Sequence, residues 1–438
     1  MPTMLIRAFR VPDLRRKLLF TLAMITLFRF GQILPAPGVN VAAVRECLNG
    51  GTRGGLVDML QLFSGGAMLK LSVFALGIMP YITAGIVVQL LTVMIPRLEA
   101  LRKEGRQGQA KITQYTRYLT VALAVLNATT VVAMARAGQI FPNCDRRVLY
   151  DQSLMTIVVV VVTLVAGTCV VMWLGELITD RGIGNGMSIL IFTQVIAVFP
   201  SYMSNIFRLS PFALATMLVS GVFLVAAVVF VEQAQRRIPV QYAKRMVGRR
   251  MYGGTSTYLP LKVNQAGIVP VIFTSSLLFL PQLAMQLTGG TGPVSAWIAR
   301  YLVSGDHPVY ITAYLLLIVA FTYFYVSITF DPDEVADNMR RFNGFVPGIR
   351  PGRPTAEYLR FVLSRLTAPG AAYLATLSLI PIIAFMLLRD PATQQNFPFG
   401  GTSVLIMVGV GLDTVKQIEA QLDQRDYRGF LRGSSPRT

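Results

Sequence analysis

Long apolar runs, broken by short polar and basic stretches, set the pattern of the chain. Leu154–Trp173, Pro211–Val231 and Val309–Phe330 each hold about 20 residues without an acidic or basic side chain. That is the length a helix needs to cross a bilayer core. Applied along the chain, the pattern predicts ten spanning helices, at about 18–34, 71–94, 118–135, 154–177, 187–204, 211–231, 263–285, 309–330, 370–388 and 401–417. The predicted fold class is therefore an all-α polytopic membrane protein. One stretch departs from simple hairpins: GGLVDMLQLFSGG, Gly54–Gly66, repeats Leu56, Met59, Leu60 and Phe63 at helical spacing but is too short to cross. The spacing alone leaves two readings, a helix tucked back into a cavity or one lying on the outer leaflet. At the N-terminus, Arg15, Arg16 and Lys17 precede an apolar run that contains Arg29, which reads as a retained first span rather than a removable signal.

Composition agrees: 53% of residues are hydrophobic and 14% charged, against about 25% charged in soluble domains. Charge then orients the spans. Ten spans place both termini on one side, and the loops of that side carry 30 of the 40 Lys and Arg. The positive-inside bias makes that side cytoplasmic. The net charge of +19 is thus an asymmetry between two faces. Its densest block, residues 233–254, has Arg236, Arg237, Lys244, Arg245, Arg249 and Arg250 and no acid. It lies in the large loop 232–262; a second large loop covers 330–368.

Catalytic chemistry finds no footing. His307 is the single histidine, which counts against histidine-based metal sites and Ser-His triads. Cys47, Cys144 and Cys169 have no CxxC spacing, and a Cys47–Cys144 disulfide stays open. There is no Walker A, HExxH or GxSxG match. The glycine-rich Gly182–Gly186 reads as a tight turn between spans four and five. No enzyme activity, metal or cofactor is expected.

An internal echo bears on organisation. Gly77–Ile82 reads GIMPYI and Gly267–Ile272 reads GIVPVI, in the second and seventh spans. Five spans per half would invert the halves, divided as 1–204 and 205–438, and paired Gly/Pro-interrupted spans point to a pathway between them. The bland alternative is two ordinary proline kinks. Spans six to nine hold no ionisable side chain in their central turns, unlike an ion-coupled carrier. Ile78, Ile82, Ile191, Ile272 and Ile406 could instead line an apolar constriction, or simply pack against helices and lipid. A secondary transporter with inverted repeats and a lipid-modifying enzyme are the competing classes; deep charges would favour the first and a convergent acid–base or metal group the second.

Longer motifs then occur in order: FSGG (63–66), FALGIMPYI (74–82), QYTRY (114–118), MWLGELITDRGIGNG (172–186), VFVEQAQRRIPVQYAKR (229–245), GRRMYGG (248–254), YLPLKVNQAGIVPVIF (258–273), FVPGIRPG (345–352) and FGGTSVLI (399–406). In this order the chain resembles the SecY family of channel subunits of the bacterial protein translocase, over nearly its whole length; loops 137–153 and 286–308 carry no matching motif. The resemblance implies a passive hourglass channel in the bacterial cytoplasmic membrane, with both termini cytoplasmic. Unfolded secretory chains cross it and transmembrane segments leave it sideways into lipid. It implies a plug helix at Gly54–Ser64, including Leu56, Met59, Leu60 and Phe63. It implies a pore ring of Ile78, Ile82, Met187, Ile191, Ile272 and Ile406, with methionine where isoleucine is more usual. Thr83, Asn127 and Asn264 match a polar cluster at a lateral gate. Lys244, Arg245, Arg249, Arg250 and Arg350 fall on loops that dock the motor or the ribosome. Implied partners are SecE and SecG, the SecA ATPase, the ribosome through rRNA phosphates and ribosomal proteins, signal sequences and nascent chains, anionic lipids, and more distantly SecD/SecF and YidC.

Overall fold

In the computed structural model of the chain, residues 9, 11–50, 65–68, 70–136, 148, 150–151, 153–209, 211–242, 245–247, 250–252, 256–274, 277–278, 297, 301, 307–387 and 401–432 are described. The chain divides into two compact units, one built from Met1–Ala215 and Ile406–Thr438, the other from Thr216–Arg389 and Phe399–Leu405.

Among the described residues the first unit contains α1 (Pro12–Ile33), α2 (Val41–Gly50), α3 (Met79–Met94), α4 (Pro96–Lys103), α5 (Arg106–Arg136), α6 (Leu154–Arg181) and α7 (Gly186–Leu209), together with most of the last helix. Then come α8 (Pro211–Gln233), α9 (Pro308–Thr329), α10 (Pro332–Arg341), α11 (Arg353–Leu387) and α12 (Gly401–Arg432). Among the described residues, three helical runs are long and apolar enough to cross a membrane: α5, α6 and Pro308–Arg341. A fourth qualifies if α3 and α4, bent by 100° at their junction, count as one. The bend has a local cause. Ile95 is extended (φ −106°, ψ 112°), as a residue before proline prefers, and Pro96 starts α4. Large apolar side chains stay outside, with Phe223 77% and Phe230 79% exposed on α8, the arrangement expected where lipid is the solvent.

The second expected span is corrected at its start. Residues 71–78 are turns apart from Ser72, which bridges to Pro35, and helix begins only at Met79. The turn stretch is held by backbone bonds: Ala36 N–H donates to the Leu71 carbonyl at 3.0 Å, and Val73 N–H donates to Leu34 at 2.9 Å. Glycines make room for it. A β-carbon on Gly31 of α1 would lie 2.1 Å from the Phe74 ring, and one on Gly167 of α6 would lie 2.0 Å from the Val73 carbonyl oxygen. Small residues at such crossings let backbones approach closely.

The all-α expectation also omits strands. The basic loop forms β1 (Gln235–Tyr242), β2 (Arg245–Val247), β3 (Arg250–Tyr252) and β4 (Ser256–Lys262), and β5 (Gly344–Phe345) comes from the next large loop. The sheet order is β4-β1-β5, with β2 and β3 paired separately. Both partners of β1 run antiparallel, from Gln235↔Lys262 to Gln241↔Ser256 and through Gln241↔Phe345 and Tyr242↔Gly344. Alternation puts Ile238 and Val240 inside β1 and leaves its arginines outside. Ile238 and Leu261 then pack with Val346, Leu359 and Val362, so the sheet sits on α11. Asp331 caps α10 by accepting from the backbone N–H groups of Asp333 and Glu334. Arg360 of α11 reaches Asp333 at 2.8 Å. The two large loops are therefore one platform with its own apolar core.

Candidate functional site

The two GIxPxI motifs build the same local structure. Gly77 and Gly267 are both left-handed, with φ of 58° and 61°, a region glycine enters without steric cost. The carbonyl of Ile78 accepts from the N–H groups of Tyr81 and Ile82, and that of Ile268 from Val271 and Ile272. Helix begins at Met79 in one and at residue 269 in the other. Each proline thus falls in the first helical turn, where its missing N–H costs nothing. The proline-kink alternative is corrected: both prolines start helices rather than bending them.

Four of the six expected ring residues come together. Ile78, only 1% exposed, belongs to a cluster with Phe28, Phe74, Val171, Leu174, Ile178, Ile189 and Leu190, and Ile82, Met187, Ile191 and Val410 pack against it half-buried. Gly175 makes room for Met187, whose sulfur would lie 2.5 Å from a β-carbon there. The turn at Gly182–Gly186 positions Met187. Gly184 has φ +82°, and a β-carbon on Gly186 would lie 1.9 Å from the Gly175 carbonyl oxygen. Thr179 accepts from the Gly186 N–H at 2.9 Å. Ile406 is buried at 1% within α12, and Ile272 is half-buried in the other unit. The expected plug residues Leu56, Met59, Leu60 and Phe63 lie outside the described residues, as does Cys144; the side chain of Cys47 does too.

Three polar groupings stand in these apolar surroundings. Arg29 donates to Gln32, and a β-carbon on Gly65 would lie 3.2 Å from Gln32 Nε2 and 3.4 Å from Arg29 Nη1. Arg29 therefore pairs. Arg117 of α5 grips Glu176 of α6 with two bonds, Nε to Oε1 at 2.8 Å and Nη2 to Oε2 at 2.7 Å. Of the expected gate residues, Thr83 donates to the Met79 carbonyl of its own helix at 3.0 Å, and Asn127 is half-buried on α5. Asn264, in the second unit, donates to Glu232 at 2.6 Å and to the Gly267 carbonyl at 3.2 Å. Glu232, Arg117 and Gln32 were not singled out from the sequence. The only signal for Glu232 is an acid at the end of an apolar run, and nothing local ties it to Asn264.

Arg236 and Arg237 are exposed on β1, and Arg350 is exposed on a turn anchored by the packing of Val346 and Ile349. Arg245 and Arg250 lie in β2 and β3, with side chains outside the described residues, as are Lys244 and Arg249 altogether. Among the described residues no group of His, Cys, Asp and Glu could hold a metal ion, and Cys169 is a free thiol.

The architecture is similar to that of a solved protein-conducting channel, with TM-score 0.63 at 18% identity, covering 92% of this chain and 91% of that one. It is also similar to Sec61 in the canine ribosome–channel complex from the endoplasmic reticulum, with TM-score 0.61 at 18% identity and the same two coverages, 92% and 91%. The fold is that of the protein-conducting channels. The SecY family profile matches residues 72–415. The protein translocase subunit SecY of Streptomyces galbus is 59% identical over 440 residues, covering 99% of this chain and 100% of its own. SecY of Mycobacterium bovis is 56% identical over 437 residues, covering 98% and 99%. This chain belongs to the SecY family.

Proposed function

We propose that the chain is the central subunit of a protein-conducting channel in the bacterial cytoplasmic membrane. It passes unfolded secretory proteins across and releases transmembrane segments into the bilayer. The observation that carries this reading is the 59% identity to a protein translocase subunit over essentially the full length of both chains. Ten spans in two inverted halves, both termini cytoplasmic, complete the architecture; the matched GIxPxI helix starts and the basic loop asymmetry support it.

The chemistry fits a non-selective conduit. A pore for arbitrary polypeptides cannot rely on specific polar partners. A ring of Ile78, Ile82, Met187, Ile191, Ile272 and Ile406 grips weakly and obstructs water and ions by dewetting. The segment with Leu56, Met59, Leu60 and Phe63 plugs it at rest. Thr83, Asn127 and Asn264 hold a lateral gate, which a signal sequence shifts toward open by binding that state better. Lys244, Arg245, Arg249, Arg250 and Arg350 dock the SecA motor or the ribosome, which supplies directional work. The structural neighbour Sec61 comes from a ribosome–channel complex, which supports ribosome docking. SecE and SecG complete the membrane complex, anionic lipids meet its basic face, and SecD/SecF and YidC act alongside it.

The test reconstitutes the chain with SecE and SecG in vesicles, adds SecA, ATP and a signal-bearing preprotein, and measures protease protection. ATP-dependent protection is expected. Its absence beside a working related channel would overturn the proposal.

A further inference from the structure

The hairpin that carries the basic block ends at its base in a polar contact. The β1–β4 ladder runs without interruption from Gln241↔Ser256 to Gln235↔Lys262. The next bond, from the Val263 N–H to the Ala234 carbonyl at 3.0 Å, carries the pairing to the end of α8. This register sets Asn264 beside the last turn of α8. Its Nδ2 donates to Glu232 Oε1 at 2.6 Å and to the Gly267 carbonyl at 3.2 Å. The residue is 2% exposed, and α11 closes over its neighbour: a β-carbon on Gly370 would lie 2.6 Å from the Val263 carbonyl oxygen. An amide nitrogen has two N–H donors, and both are engaged here. Its oxygen Oδ1 is buried and has no hydrogen-bond partner among the described residues.

We propose that Glu232 is a positioning residue for the gate. It holds the Asn264 amide in one orientation, nitrogen toward the carboxylate, and so leaves Oδ1 as the gate's acceptor. A carboxylate only accepts, so turning the amide over would set two acceptors face to face, and the charged bond is stronger than a neutral one. A group that meets Oδ1 must then be a donor. Because Glu232 and Asn264 meet at the foot of the β1–β4 stem, strain on the docking hairpin reaches the gate through this contact. The inference rests on the gate role proposed for Asn264.

The test measures resting conductance per channel in planar bilayers, without SecA, for the full complex carrying Glu232→Ala, Glu232→Gln, Asn264→Leu and the Glu232→Ala/Asn264→Leu pair. Each protein is first checked by gel filtration and thermal midpoint. If the closed state loses one interhelical bond, conductance rises roughly threefold in Asn264→Leu and in Glu232→Ala. The pair rises no further than either alone, since both act through one amide, and Glu232→Gln, which keeps an acceptor, stays near the parent. An additive pair, or an unchanged Glu232→Ala beside an active Asn264→Leu, overturns the inference and leaves the gate reading standing. A silent Asn264→Leu overturns the gate reading itself and the inference with it. If Glu232→Ala does not fold, Asn264→Asp decides. It sets two carboxylates together and raises conductance, and adding Glu232→Gln must bring it back; failure to do so overturns the inference.

Discussion

Leu261→Ala tests what holds the platform of the two large loops together. Leu261 is 1% exposed and packs between Ile238 of β1 and Leu359 and Val362 of α11. Truncating a packed leucine costs about 2–5 kcal/mol. The sheet is tied to α11 and to β5, so the site has little room to collapse, and about 3 kcal/mol is expected. At about 1.4 kcal/mol per factor of ten, local opening of the hairpin becomes roughly a hundredfold more frequent. The assay is limited trypsin digestion of the reconstituted complex, following cleavage after Arg237 by mass spectrometry. Arg237 pairs with Pro260 in the ladder, so cleavage there needs β1 to open. When opening is fast relative to cleavage, the rate follows the open population and should rise by a similar roughly hundredfold. Tyr258→Ala is the control, because Tyr258 is 59% exposed on the same strand. A Leu261→Ala rate within about threefold of the parent would refute the claim that packing on α11 holds the hairpin.

Gly186→Ala forces a β-carbon to 1.9 Å from the Gly175 carbonyl oxygen; a loss of about 1–3 kcal/mol or more should lower the thermal midpoint in detergent, and an unchanged midpoint would contradict the close approach. Arg117→Gln breaks a two-bond pair whose side chains are 48% and 20% exposed. Solvent screening holds its worth to about 1 kcal/mol, and a double-mutant cycle with Glu176→Gln giving well above that would mean the pair is more deeply buried than its exposure indicates. Ile82→Asn and Ile272→Asn should each raise the resting ion leak of the reconstituted channel, and unchanged conductance in both would remove them from the ring. Arg249→Glu with Arg250→Glu should weaken ribosome or motor binding and flatten its salt dependence while membrane insertion proceeds; unaltered binding at physiological salt would remove the docking role.

Some features were legible because they depend on local free energies. The apolar run at Leu154–Trp173 appears as α6, and the glycine-rich Gly182–Gly186 appears as the turn before α7. The GIxPxI echo was visible as letters, but its alternative reading as two proline kinks was settled only by backbone geometry, which shows that both prolines start helices. The strands of the basic loop escaped because β1 holds just two inward apolar residues among arginines and carries Pro239. Their pairing brings together positions far apart in sequence, such as Gln241 and Phe345.

The sequence by itself determined the solvent of this protein. Burial in lipid needs about 20 apolar residues in a row, a property read directly along the chain. Tertiary structure decided that two basic loops form one platform and that Asn264 faces Glu232. Strand register and side-chain pairing are settled by contacts between distant segments, which no single window of residues contains.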